Sequence, residues 1–221
     1  MIINDRDGWI FVHNPKCAGS TVRKALMKYE TRNNFYWFFD EFDGAKIDKA
    51  HLPLMVLYRY SRPDFDLFSE YKVFGFVRNP YTRAVSAYNE THQRIYRDFV
   101  SGELSLNDYR KSISDFIVNL KEGVLNGLNF EYRHFLRQID FFYFNGKCLA
   151  DHIANIEKVD VQSSRFTLIG GGVEDLPKIL QFKENEKSIG AKFNEVLNEE
   201  AISVINTIYE DDFCAFGYRK L

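Results

Sequence analysis

The chain has too few cysteines for a disulfide framework. Its three, Cys17, Cys148 and Cys214, are odd in number and widely spaced, and they fit neither paired bridges nor a zinc-ligand pattern. That points to a reducing compartment. An excess of one charge is missing too. The 29 Lys and Arg are set against 31 Asp and Glu, a net charge of −2, which excludes a general nucleic-acid binder and requires any anion site to be built locally. No apolar run approaches the ~20 residues of a membrane-spanning helix. The opening residues MIINDRDGWIFVHNPK lack the basic start and apolar stretch of a secretory signal. The expectation is a soluble, cytoplasmic protein with no transmembrane segment. Repeats, low-complexity segments and linkers are absent as well.

What is present is a large apolar share. Hydrophobic residues make up 45% of the 221 residues, with 21 Phe and 13 Tyr, enough to fill the core of one domain spanning 1–221. Most of these rings read as core, and some offer stacking surface for a nucleotide or sugar. WIFVHN at 9–14 reads as a buried strand, and Val22, Ala25, Leu26 and Tyr29 recur at helical spacing behind it. YKVFGFV at 71–77 reads as a second strand, followed by a helix from about Tyr81 with Pro80 in its first turn. Ser105 and Asp108 resemble a capping box ahead of a helix, FTLI at 166–169 reads as a third strand stopped by Gly170-Gly171-Gly172, and Leu197 to Ile208 read as a C-terminal helix. Residues 31–70 read as a loop-rich excursion with short helices. Strands alternating with helices predict an α/β fold: three αβα layers around a mainly parallel sheet, similar to P-loop NTPases.

Two segments carry chemistry. In Pro15-Lys16-Cys17-Ala18-Gly19-Ser20-Thr21 a strand turns into a helix whose first N–H groups and dipole favour an anion. Gly19 permits close backbone approach, Ser20 and Thr21 add hydroxyls, and Lys16 adds a full charge. This is not a Walker A loop, because Lys16 precedes Gly19 and no glycine opens the turn. In Arg78-Asn79-Pro80-Tyr81 through Ser86, an Arg stands at the end of the second strand and a Ser lies about two turns into the next helix. A guanidinium fits a phosphate bidentately. Both segments lie where ligands of open α/β sheets bind, beyond the carboxyl ends of strands.

HNPKCAGST and FVRNPYTRAVSAY resemble the 5′-phosphosulfate loop and the 3′-phosphate motif of sulfotransferases, in the flavour of the carbohydrate (heparan 2-O and HNK-1-like) branch and its bacterial relatives. HIANIEKVD at 152–160 and DDFCAFGY at 211–218 are similar to two further family segments. The resemblance implies a sulfuryl transfer from 3′-phosphoadenosine 5′-phosphosulfate (PAPS) to a hydroxyl of a carbohydrate or glycoconjugate, without a metal. It implies that Lys16 contacts the transferring group, that Gly19, Ser20, Thr21 and Val22 hold the 5′-phosphate, and that Arg78 and Ser86 hold the 3′-phosphate. Asn14 and Cys17 depart from the apolar residue and Thr more common in relatives, Ser20-Thr21 inverts a common order, and the Arg-Lys-Gly triplet of cytosolic relatives is absent. Alternatives are a non-catalytic nucleotide-binding protein on the same scaffold, a small P-loop-like kinase and a lectin-like binder.

The general base is expected in the excursion between the motifs. His51, in KAHLPLMV, is the choice, because an imidazole has a reference pKa near ~6.5. Glu41 is the runner-up, with Asp40, Asp43 and Asp48 nearby. His13 reads as a satisfied buried histidine, His92 as exposed, and His134 as either an acceptor contact or a loop-orienting residue. Cys17, beside the anion site, is expected to have a stabilised thiolate open to oxidation. Asp211-Asp212 and Glu199-Glu200 read as solvated helix faces.

Overall fold

A computed structural model describes residues 1–158 and 193–221. Strand β1 (Ile2–Asn4) turns into β2 (Trp9–Val12), and helix α1 (Gly19–Leu26) follows. The 31–70 stretch contains the short helices expected, α2 (Leu54–Tyr60) and α3 (Arg62–Asp66). It also contains a hairpin that the sequence reading did not anticipate, β3 (Phe39–Phe42) with β4 (Ala45–Asp48). Its turn is Asp43-Gly44, with φ of 51° and 70°, the pair of left-handed residues that a two-residue hairpin needs.

Strand β5 (Lys72–Val77) leads into α4 (Pro80–Thr91), α5 (Gln93–Ser101) and α6 (Leu106–Val118). The Asn79 side chain caps α4 by accepting from Tyr81 N and Thr82 N. Ser105 caps α6 by accepting from Asp108 N at 3.1 Å, which fits the predicted capping box. A two-residue hairpin, β6 (Tyr143–Phe144) and β7 (Lys147–Cys148), precedes β8 (His152–Asn155). The C-terminal part carries α7 (Phe193–Val196), α8 (Glu199–Ile208) and α9 (Glu210–Phe216). The strand expected at 166–169 and its glycine stop lie outside the described residues.

The main sheet has the order β1-β2-β5-β8, with β1 antiparallel and the other neighbours parallel. Period-two alternation makes it the middle layer. Ile2, Trp9, Phe11, Phe74 and Phe76 share one cluster with Val22 and Leu26 of α1. Ile3, Ile10, Val12, Val73 and Val77 share the other with α2, α4, α6 and α8. A sheet covered by helices on both faces reads as apolar runs rather than alternating strands, and WIFV and VFGFV do so. The fold is therefore α/β with a mainly parallel sheet between helical layers. Register Val12↔Gly75 puts the ends of β2 and β5 side by side, so the loops carrying Lys16 and Arg78 leave the sheet at one edge. Among the described residues no helix is long and apolar enough to cross a membrane.

Candidate active site at two strand ends

The turn after β2 is strained and tightly packed. Lys16 and Ala18 have φ of 62° and 59°, a left-handed conformation that costs roughly 1–2 kcal/mol for a residue with a Cβ. Buried side chains hold the turn in place. Asn14 Nδ2 donates to Phe76 O at 3.0 Å and to Gln138 Oε1 at 3.3 Å. Cys17 Sγ donates to Pro15 O at 3.4 Å and lies 3.3 Å from Gln138 Oε1. The two departures from the family pattern, Asn14 and Cys17, are thus part of one buried network. Gly19 is required by a neighbour: a Cβ there would lie 1.9 Å from two atoms of the His13 ring. Helix α1 starts with Ala18 as its N-cap, which makes no side-chain cap bond, and no acid stands in its first turn. No cap side chain takes its first N–H groups, as an anion site needs. Val22 is fully buried in the core, and its N–H donates to Ala18 O at 3.1 Å, so the open N–H groups at the start of α1 are those before it.

The second loop is fastened to the first. Arg78 Nη1 donates to Lys16 O at 3.4 Å and its Nε to Thr82 Oγ1 at 3.1 Å. Burial presses the Arg78 pKa down, Cys17 and Glu157 opposing. Gln138, fully buried, accepts from Arg78 N at 2.8 Å and donates to Arg78 O at 2.8 Å. Behind it, Asp212 accepts from the backbone N–H groups of Gln138 and Ile139 at 2.9 and 2.8 Å, with Arg83 Nη2 at 3.9 Å. The two weaker family-like segments also meet here: Glu157 accepts from Asn79 N at 2.6 Å and from Tyr218 OH at 2.8 Å. Residues 159 and 160 of the first of them lie outside the described residues.

Lys16 reaches across to α4, where its Nζ pairs with Glu90 Oε2 at 3.1 Å. Glu90 is four residues after Ser86, on the same helix face, so the ammonium stands over the face that carries Ser86. On the other side of the turn His51 Nδ1 donates to the carbonyl of His13 at 2.9 Å. A carbonyl only accepts, so Nδ1 carries the hydrogen and Nε2 keeps the lone pair. His51 packs edge-on to His13 and His134, at ring centroid distances of 4.4 and 5.5 Å. Burial pushes its pKa from 6.5 down to about 4, against the pull of Asp48 and the His13 bond. Burial pushes His134 down to about 2, helped by His51, Arg133 and Lys16. Both rings are neutral at physiological pH. His13 is 6% exposed and burial holds it neutral as well; it is buried as expected, packed among the rings of Phe11, Trp37 and His51.

Several expectations change. Cys17 is 1% exposed and burial raises its thiol to about 12. It is an inert core residue, because desolvation of a thiolate outweighs the pull of Arg83 and Arg78. Asp212 is fully buried rather than solvated, and burial raises it to about 6; Asp211, Glu199 and Glu200 are exposed. His92 is half-buried and stacks on Tyr88 at 4.2 Å. Of the acids weighed beside His51, Glu41 lies on the exposed hairpin opposite Lys46, Asp40 binds Tyr60 OH, Asp43 pairs with Arg59, and Asp48 alone adjoins His51. Gln138, Glu90 and Glu157 were not singled out from the sequence. Gln138 and Glu90 belong to no local motif, and Glu157 lay unremarked within HIANIEKVD.

A family model described as "Sulfotransferase family" matches residues 1–219. No curated protein and no solved structure matches the chain.

Proposed function

We infer from the chain's membership of the sulfotransferase family, which it belongs to over residues 1–219, that its donor is PAPS and its acceptor a carbohydrate hydroxyl. Sulfuryl transfer is the chemistry of that family; donor, acceptor and residue roles are our reading. The observation that carries it is the joining of the two loops through Arg78 Nη1 and Lys16 O. It puts an ammonium, a guanidinium and an uncapped helix N-terminus at one sheet edge. That suits a ligand with two separated anionic groups.

The 5′-phosphate would rest on the N–H groups of Gly19, Ser20 and Thr21, with the Val22 N–H held by Ala18 O, and the 3′-phosphate on Arg78 and Ser86. The acceptor hydroxyl attacks sulfur in line. Its O–S bond forms while the bond from sulfur to the 5′-phosphate oxygen breaks, and the hydroxyl proton passes to Nε2 of His51. Lys16 stabilises charge growing on the bridging oxygen. To do so it must leave Glu90. With side chains 21% and 45% exposed, that pair contributes only about 0.2–1 kcal/mol, a cost donor binding easily covers.

An exposed aromatic rim supports a sugar acceptor. Trp37, Phe38 and Phe39 are 43%, 59% and 53% exposed. Trp37 stacks on His13 with ring planes 3° apart, and Phe39 pairs opposite Asp48, so the rim borders His51. Arg23 and Lys46 lie over the Trp37 and Phe39 rings at 3.8 and 4.6 Å, so Phe38, the most exposed of the three, is the ring that offers a flat apolar face to a pyranose.

Melting the protein with 3′-phosphoadenosine 5′-phosphate, and separately with ATP and magnesium, tests the donor. The 3′-phosphorylated nucleotide should stabilise the fold without magnesium; a preference for ATP with magnesium would mean a kinase. Transfer of label from PAPS to a panel of polysaccharides then tests catalysis. Binding without transfer would leave a nucleotide-binding scaffold.

A further inference from the structure

Asp48, His51 and His134 come from the end of β4, the turn behind it and a distant loop. One ligand-capable atom of each lies within 4.8 Å of those of the other two. Each of the two histidines keeps a ring nitrogen that no hydrogen bond in the protein fills. His51 commits Nδ1 to the His13 carbonyl, which leaves Nε2 as a lone pair. A metal-ligating histidine is held in the same way, by a carbonyl on its other nitrogen. His134 is 7% exposed and its Nδ1 has no partner. An unsatisfied buried polar atom is costly, and its persistence asks for a ligand. Asp48 uses Oδ1 to accept from Ala50 N at 3.0 Å, and Oδ2 lies 3.3 Å from Arg133 Nε.

We propose that Asp48, His51 and His134 form a site for a divalent transition ion of the zinc class, and that this ion silences sulfuryl transfer by taking the His51 lone pair. Two imidazoles and a carboxylate are the protein ligands of an open zinc site, with a fourth position for water. Nitrogen donors select zinc, copper, cobalt or nickel over magnesium and calcium. Arg133 does not depend on Asp48 for its position: its Nη1 donates to Phe130 O at 2.8 Å and its guanidinium lies 4.0 Å from the Phe130 ring. An ion can therefore share Asp48 without unseating the loop. The nearby charges of Arg133 and Lys16 weaken the site relative to a closed structural zinc. This makes it an inhibitory site that fills and empties rather than a cofactor site. The inhibition rests on His51 as base; the binding does not.

Full-length protein, stripped with a chelator, is titrated with Zn²⁺ by calorimetry and with Co²⁺ by visible absorption. The expected result is one ion per chain, with the stronger cobalt bands of a four-coordinate site and no competition by Mg²⁺. His134→Gln and Asp48→Asn should each weaken binding by about tenfold or more. Stabilisation of both variants by 3′-phosphoadenosine 5′-phosphate checks that they are folded. Absence of one-to-one binding, or binding that neither variant changes, overturns the site. Zn²⁺ should also abolish wild-type turnover over the same concentration range, reversibly on chelation. Binding through these residues without inhibition overturns the competition alone. A His51→Ala enzyme that keeps its turnover in chelator removes the base, and the ion titration reports separately.

Discussion

Gly19→Ala asks whether His13 is packed against the start of α1 as tightly as the structure shows. The added methyl would lie 1.9 Å from Cδ2 and Nε2 of His13 and 3.1 Å from Cε1. The ring has little room to yield. It is 6% exposed, stacks on Phe11 at 6.1 Å and on Trp37 at 6.1 Å, and meets His51 edge-on at 4.4 Å. Helix propensity acts in the opposite direction, since Ala is favoured over Gly by roughly 0.8–1.0 kcal/mol inside a helix and by less at its first position. Overpacking a full core costs about 1–3 kcal/mol. Overpacking wins, and a net loss of about 1–2 kcal/mol is expected in denaturant unfolding, together with weaker binding of 3′-phosphoadenosine 5′-phosphate as the α1 N-terminus shifts. The decisive arm is a double-mutant cycle. With His13→Ala the ring is gone, so adding Gly19→Ala to that variant should be neutral or stabilising, a coupling of about 1–3 kcal/mol. A Gly19→Ala protein as stable as wild type, or two substitutions additive within ~0.5 kcal/mol, would refute the contact.

Four other outcomes follow from the same geometry. Arg78→Ala should weaken 3′-phosphoadenosine 5′-phosphate by about 1.5–3 kcal/mol and hardly affect adenosine 5′-phosphosulfate; equal calorimetric losses for both would sink the 3′-phosphate role. Lys16→Ala should lower turnover far more than affinity for the product nucleotide, because charge on the bridging oxygen peaks in transfer; turnover within a fewfold of wild type would make it a surface charge. His51→Ala should cost ~10²-fold in turnover. Since the neutral ring is the base and its pKa lies near 4, wild-type kcat/KM in chelator should stay level as pH falls through 6.5 and decline only towards about 4; a midpoint at 6.5 or above would contradict the buried setting beside His13, His134, Asp48 and Arg133. Gln138→Leu strands Arg78 N and Arg78 O, at about 1–3 kcal/mol for each group left unpaired, and a stability within 0.5 kcal/mol of wild type would show that the staple is dispensable.

The elements legible from sequence were those with local causes. The start of α1 at Gly19, the α6 cap at Ser105 and the strand end before Arg78 each follow from a few adjacent residues, whereas β2 stops at Val12, two residues short of the 9–14 run read as a strand. The β3–β4 hairpin also had a local signal, Asp43-Gly44, hidden in a stretch dense with aromatics. The network around Gln138 had none. It joins residues 60, 74, 121 and 124 positions apart, and nothing in the local context of Gln138 marks it as buried. Cys17 and Asp212 were misjudged for the same reason: neighbours in sequence suggested exposure, and neighbours in space removed it. The place of His51 beside the turn depends on one bond to a carbonyl 38 residues earlier, which no periodicity foretells.

Under the proposed function, the residues of the turn serve ligand binding at a cost in stability. Glycine at position 16 would relieve a left-handed φ of 62°, yet it would remove the only ammonium in the turn. Glycine at 18 would likewise relax a φ of 59°. Ser or Asp there would offer a cap worth about 1 kcal/mol, but its oxygen would take the N–H groups an anion needs. Two strained residues and an uncapped helix within Lys16–Gly19 are local conflicts of the kind that gather at functional sites. All of them lie at the turn whose Lys16 carbonyl receives Arg78. The buried layer of Asn14, Cys17, Gln138 and Asp212 supplies the rigidity that such a turn lacks on its own. Under that proposal a ligand binding there meets a preformed surface, which leaves its binding energy for the charges that develop only during transfer.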